Sequence, residues 1–190
     1  MSDPQGTGPS LADLTPTLVN RLREGDPTAG RLLADIYRNP LLRFCFRYLK
    51  NQEEAEDVVQ EVFLRVLKHK AQPANFRAWI YRIARNCSLD VIRAGGRRRD
   101  DGELPPASRV DAELTGCLTR LVRREQQAEL KRALAQLSED HREVLHLRYT
   151  EGLSRQETAE VLGLPETLVK SRLYEAIVKL RAHDSIVDPG

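Results

Sequence analysis

The sequence predicts an all-α protein: two small helical domains joined by a flexible linker, the second ending in a helix-turn-helix. Three observations carry that expectation. Apolar residues recur at the i, i+3, i+4, i+7 spacing of one helix face, while aromatic residues make up only 5% of the chain and alternating β-branched runs are missing. One stretch, from Ala94 to Pro106, has no periodicity and is crowded with Gly, Arg, Asp and Pro. Near the C-terminus, two short periodic segments are separated by only Gly163, Leu164 and Pro165. At 190 residues, 41% of them hydrophobic and 31% charged, the chain has room for one ordinary domain or two small ones.

Residues 1–17 open Gly/Pro/Ser-rich and are expected to be a disordered lead-in, so the first domain spans 18–94. Asp26-Pro27 is a helix start: the Asp carboxylate accepts from an orphan amide, and Pro suits the first helical position. That helix should run towards Lys50, with Pro40 the place for a bend. The next covers Glu53 to about Lys68 and aligns Ala55, Val58, Val59, Val62, Phe63, Val66 and Leu67 on one stripe. A third runs on from Asn75, with Phe76, Trp79, Ile80, Ile83, Ala84, Cys87 and Val91 facing one way. Three amphipathic helices of this quality make a bundle.

Gly costs helix stability and Pro breaks the hydrogen-bond ladder, so helix should stop near Ala94 and residues 95–110 should be linker. The second domain, 111–190, begins with a helix from Leu114 to Leu137. Ser138 caps another that ends near Gly152. Ser154-x-x-Glu157 is a capping box, in which the Ser side chain takes the third amide and the Glu returns to the Ser amide. Gly163 is the expected C-cap, and the last helix starts near Glu166 or Thr167, with Val169, Leu173, Ala176, Ile177 and Leu180 inward.

Several function classes drop out. No apolar run approaches the roughly 18–20 residues of a membrane span, and the N-terminus lacks the basic start and apolar core of a signal peptide. The 3 cysteines, Cys45, Cys87 and Cys117, form no C-x-x-C pair and lie near no His at ligand spacing, against a zinc site or disulfide framework. Cys45 and Cys87 read as buried small hydrophobes, and a reducing cytoplasm is the expected location. His141 and His146 fall on different helix faces, His69 and His183 sit near helix ends, and no P-loop or G-x-S-x-G occurs. The chain is expected to be no enzyme, with no cofactor, metal or small-molecule substrate.

Three faces remain. The outward side of the last helix carries Lys170, Ser171, Arg172, Tyr174 and Glu175, which suit base edges and phosphates in a major groove, or simply solvent on a helical hairpin. Arg77, Tyr81, Arg82 and Arg85 lie opposite the Trp79 stripe, with Arg93 and Arg97 to Arg99 following. Such a face fits a nucleic-acid backbone with bases stacked on the aromatic, or a solvated face leading into a basic linker. Asp57, Gln60 and Glu61 surround Leu64, which points away from the Val58/Val62 stripe. The helix dipole accounts for the carboxylates from Glu53 to Asp57. Leu64 is then either a lone exposed Leu or the centre of a protein-binding patch.

Three strings in register resemble one family. They are AEDVVQEVFLRVL (Ala55 to Leu67), FRAWIYRIARNCSLDVIR (Phe76 to Arg93) and LSEDHREVLHLRYTEGLSRQETAEVLGLPETLVKSRL (Leu137 to Leu173). Together they are similar to the extracytoplasmic-function (ECF) sigma factors, the compact branch of bacterial sigma factors. The resemblance implies that Asp57, Gln60, Glu61 and Leu64 dock on the β′ clamp of core RNA polymerase. It implies that the helix bearing Arg77, Tyr81, Arg82, Arg85, Asn86 and Arg93 captures the unwound strand at the promoter's −10 element. Asn86 is suited to a pocket for an extruded base, since an amide both donates and accepts. The helix-turn-helix would bind the −35 element as duplex while resting on the β flap. An anti-sigma factor is a common partner in the family, though no residue of this chain reports one.

The chain departs from the family pattern at three places. Leu168 replaces a Thr, leaving Thr167 to cap the last helix, and Thr158 stands where a core Ile is favoured. Glu175 stands where an Arg is common. An Arg bonds guanine at two points, whereas a Glu accepts from cytosine N4, so the −35 preference should differ from the common one. Two other readings predict different behaviour: a helix-turn-helix regulator that never joins polymerase, and an interaction module with merely solvated basic faces.

Overall fold

Short polar side chains open three of the helices in the first unit, through Asp26, Asn51 and Asn75. The computed structural model describes residues 11–69, 73–98 and 133–184, in two units divided between residues 95 and 96. Helix α1 (Leu11–Arg23) lies partly within the segment expected to be disordered, and Leu18 and Val19 bury its apolar face. Thr15 Oγ1 meets the Tyr37 hydroxyl at 3.1 Å on the next helix, so α1 is anchored by a polar contact as well. At its end Gly25 turns left-handed (φ 85), the Gly25 amide donates to the Leu22 carbonyl and the Asp26 amide to that of Arg21. This double closure satisfies two orphan carbonyls and reverses the chain in a few residues.

Asp26 then opens α2 (Pro27–Leu49): one carboxylate oxygen accepts from the Thr28 amide at 2.8 Å, the other from Arg21 at 2.6 Å. The helix runs unbroken through Pro40, which has no N–H to donate to the Ile36 carbonyl. Its buried face, Leu33, Tyr37, Leu41, Phe44 and Cys45, forms the centre of the bundle. Asn51 caps α3 (Gln52–Lys68) by accepting from the Glu53 and Glu54 amides at 2.9 and 3.3 Å. Asn75 caps α4 (Phe76–Arg98), accepting from the Ala78 amide at 3.1 Å.

The face of α4 that packs inward differs from the expected stripe. Ile80, Tyr81, Ala84, Cys87 and Ser88 are buried, while Trp79, Ile83 and Val91 are half-buried. Edge-to-face contacts decide it: Tyr81 meets Phe44 at 5.2 Å, and Phe76 meets Tyr37 at 5.7 Å. Ser88 is admitted because its hydroxyl donates to the Ala84 carbonyl at 2.8 Å. The helix also continues through Gly95 and Gly96 to Arg98, beyond the boundary expected at Ala94. Two glycines cost roughly 2 kcal/mol in a helix, which does not outweigh a preceding run already formed against the core. The rest of the expected linker, the helix from Leu114 up to residue 132, and Cys117 lie outside the described residues.

In the second unit, Ser138 caps α5 (Glu139–Leu145), which widens into a π turn over His146–Thr150. The Glu151 amide closes that turn on the His146 carbonyl at 3.0 Å, and the buried His146 and Glu151 side chains meet at 3.1 Å. Leu147 within this turn and Leu153 just after it are fully buried. Helix α6 (Arg155–Leu162) begins with the capping box, Ser154 Oγ to the Glu157 amide at 3.0 Å and Glu157 to the Ser154 amide at 2.6 Å. Gly163 ends it left-handed (φ 67), and α7 (Glu166–Asp184) follows. Leu134, Leu137, Val144, Leu145, Ala159, Val169, Leu173 and Ala176 make one core among these elements. Thr158 is buried without loss, because its hydroxyl donates to the Ser154 carbonyl at 2.8 Å. Since α7 already begins at Glu166, Thr167 lies inside its first turn and is not its cap.

Candidate nucleic-acid and protein interfaces

Val169, Leu173 and Ala176 bury one side of α7, so the other side is left to solvent by the helical period. Lys170, Ser171, Tyr174 and Glu175 are exposed there, Tyr174 at 71% of its surface. An aromatic so bare is not part of the fold's own packing. Arg172 is different: half-buried, it reaches Asp140 in the first turn of α5 at 2.6 Å. Glu175 is also engaged, accepting from the Ser171 hydroxyl at 3.0 Å and meeting His141 Nε2 at 3.3 Å. The Ser171 hydrogen bond, then that of His141, holds the Glu175 carboxyl below its ordinary range, so it is a carboxylate at neutral pH. Asp140 and His141 were not among the expected site residues. Val178 and Leu168, also exposed on α7, extend the same surface with apolar groups.

On α4 the exposed stripe is Arg82, Asn86 and Arg93, spaced at i, i+4 and i+11. Arg93 pairs with Asp90 at 2.8 Å. Arg77 and Arg85 are half-buried beside this stripe. Tyr81 is corrected: it is only 3% exposed, its ring packed on Phe44, and it offers no stacking platform. The phenol ring carries more apolar area than its neighbours on that side of the helix, so the core takes it. The exposed-edge aromatic of this helix is Trp79, which packs against His69 at 4.6 Å and Phe76 at 5.7 Å.

On α3, Asp57, Gln60 and Leu64 are exposed and Glu61 is half-buried, paired with Arg65 at 2.7 Å. Leu64 is 48% exposed and Leu67, expected in the core, is 61% exposed. Gln60, Leu64 and Leu67 follow i, i+4, i+7, so the apolar centre is two leucines wide. Full burial on α3 ends at Val62; beyond it Phe63 and Val66 are half-buried and Leu67 is exposed. Described residues hold no cluster of three or more metal-ligating side chains and no helix long and apolar enough to cross a membrane.

A four-helix unit with acidic-apolar and basic faces, followed by a helix-turn-helix with an exposed second helix, defines a class of modular DNA-binding transcription proteins. Comparison narrows that class. Residues 33–98 match the model of Sigma-70 region 2, and residues 127–180 that of Sigma-70 region 4. The chain is 32% identical to the RNA polymerase sigma-H factor of Pseudomonas aeruginosa, over 84% of this chain and 88% of that one. It is 37% identical to the ECF RNA polymerase sigma factor SigL of Mycobacterium tuberculosis, over 80% and 86% respectively. The solved structure of CnrH in complex with the cytosolic domain of CnrY matches with a TM-score of 0.60 at 25% identity, covering 93% of this chain and 100% of that one. The chain belongs to the ECF sigma factors of the sigma-70 family.

Proposed function

We propose that this sigma factor engages its promoter at two sites and core polymerase through α3. Helix α7 enters the major groove of the −35 element, with Lys170, Ser171, Tyr174 and Glu175 towards the bases and Arg172 at the backbone. Arg82, Asn86 and Arg93 of α4, flanked by Arg77 and Arg85, hold the unwound strand of the −10 element. Binding the opened strand and not the paired one shifts the duplex towards opening, with no chemistry by this chain. Asp57, Gln60, Glu61 and Leu64 dock on the polymerase β′ clamp, and the second unit rests on the β flap. The chain works in the cytoplasm and is no enzyme. An anti-sigma protein is a further partner, as CnrH is solved bound to CnrY.

The observation that carries this reading is the division of α7 into a buried apolar side and an exposed polar side headed by Tyr174, directly after a capped tight turn. Reconstitution with core polymerase and mapping of transcript starts tests it. Specific starts that vanish on charge reversal at Asp57 and Glu61 are the expected result. Unchanged transcription and polymerase binding in that variant would favour a regulator that acts apart from polymerase.

A further inference from the structure

Ser138 is the N-cap of α5, and its oxygen accepts from the His141 amide at 3.4 Å. A serine hydroxyl has one hydrogen, and the His141 Nδ1 lies 2.8 Å from that oxygen. The Glu175 carboxylate that faces Nε2 can only accept, so the hydrogen of the neutral imidazole sits on Nε2 and Nδ1 accepts from the Ser138 hydroxyl. Nε2 faces Glu175 Oε2 at 3.3 Å. In the protonated ring both nitrogens donate, Nδ1 to Ser138 and Nε2 to Glu175, so the contact survives either state.

The consequence falls on a residue of the exposed face. His141 is buried at 7% exposure, whereas the Glu175 side chain is 53% exposed. One carboxylate oxygen takes the Ser171 hydroxyl and the other takes His141. A carboxylate has about four acceptor sites, so roughly two stay open towards solvent. Asp140, the neighbour of His141, holds Arg172 at 2.6 Å, one turn back on α7. The first turn of α5 thus grips α7 at two points beside its outward face. A free Glu would spread over many rotamers, but this one is already ordered before any ligand arrives.

We propose that His141 is a positioning residue for base readout, holding the Glu175 carboxylate where it accepts from cytosine N4, so that the pair is a determinant of −35 specificity. This rests on the reading of α6–α7 as a helix-turn-helix whose second helix enters promoter duplex. Cytosine is the base selected because its major-groove edge carries a donor alone. Adenine sets its N6 donor beside the N7 acceptor, which repels a carboxylate, and guanine and thymine offer only acceptors there. Histidine acts from outside the groove, touching no base.

The test is selection from a promoter library randomised at the −35 element, using holoenzyme assembled from the full chain. The parent should select cytosine at one position, and Glu175→Ala should abolish that preference. His141→Ala should weaken it roughly fivefold at that position alone, a single-contact share of base discrimination. The double variant should be no worse than Glu175→Ala. His141→Gln, whose amide can still donate to Glu175, should restore much of the preference. If His141→Ala leaves the position unchanged, weakens all positions evenly, or is not rescued by His141→Gln, the positioning role is overturned. If the parent selects no −35 sequence at all, the helix-turn-helix reading itself falls.

Discussion

Arg172 of α7 donates to Asp140 of α5 at 2.6 Å, so a cation on the candidate DNA-binding helix is neutralised within the protein. The Asp140 side chain is itself more than half exposed, which limits the stability this pair supplies to less than about 1 kcal/mol. Asp140→Asn removes the neutralising charge. It should raise sequence-independent duplex affinity and steepen the slope of log K against log salt by about 0.9, the release of one more counterion. Titration of labelled duplex at several salt concentrations checks it; an unchanged slope would show that Arg172 lies away from phosphate.

Leu64 and Leu67 stand out from the bundle with no core to stabilise. Leu64→Ala should therefore change unfolding free energy by less than about 0.5 kcal/mol. The same substitution should weaken association with core polymerase about tenfold or more, as loss of an apolar anchor in a patch does. Melting curves and competition for core polymerase separate the two effects. Equal loss in both would move Leu64 into the fold's own packing.

The turn between α6 and α7 depends on local chemistry. Ser154→Ala removes the serine half of the capping box and should cost about 1 kcal/mol. Gly163→Ala should also cost about 1 kcal/mol, entirely through the left-handed backbone, because nothing lies within 4 Å of an added Cβ. Gly163→Asn should cost less, since Asn tolerates that region. Denaturant titration of the full chain measures each.

Asp26 links acid stability to the α1–α2 turn. The Arg21 guanidinium, then the Thr28 amide, holds its carboxyl below the ordinary aspartate range. A depressed folded pKa contributes stability above the unfolded value, and that stability is lost as pH falls through the folded one. Asp26→Asn keeps a capping oxygen but no charge. It should melt below the parent at neutral pH, and the gap should close as pH falls below about 4. A gap that persists at pH about 2 would assign the loss to the cap and not the charge.

Much of this architecture was legible because it is written locally. Asp26, Ser138, Ser154 and Gly163 act within a few residues of themselves, so their roles follow from neighbours in sequence. The α3 stripe was readable up to Val62 for the same reason. Its end was not, because a period of 3.6 says which residues share a face but not how far the neighbouring helix covers it. That is why Leu67 was expected inside. Tyr81 stands among arginines in sequence, which suggests an exposed face, whereas Phe44, far away in sequence, draws its ring into the core.

The helix-turn-helix and the outward face of its second helix were determined by the sequence alone, through a capping box, a C-cap glycine and an apolar period. Whether the polar residues on that face are free was decided only by tertiary structure. Arg172 and Glu175 look alike on a helical wheel as outward charges, yet both are tied to the first turn of α5 through Asp140 and His141. Helical spacing sets a direction, and a partner on another helix sets what is left over for a ligand. Helical spacing alone turns Glu175 outward, and only the fold supplies the histidine that holds it.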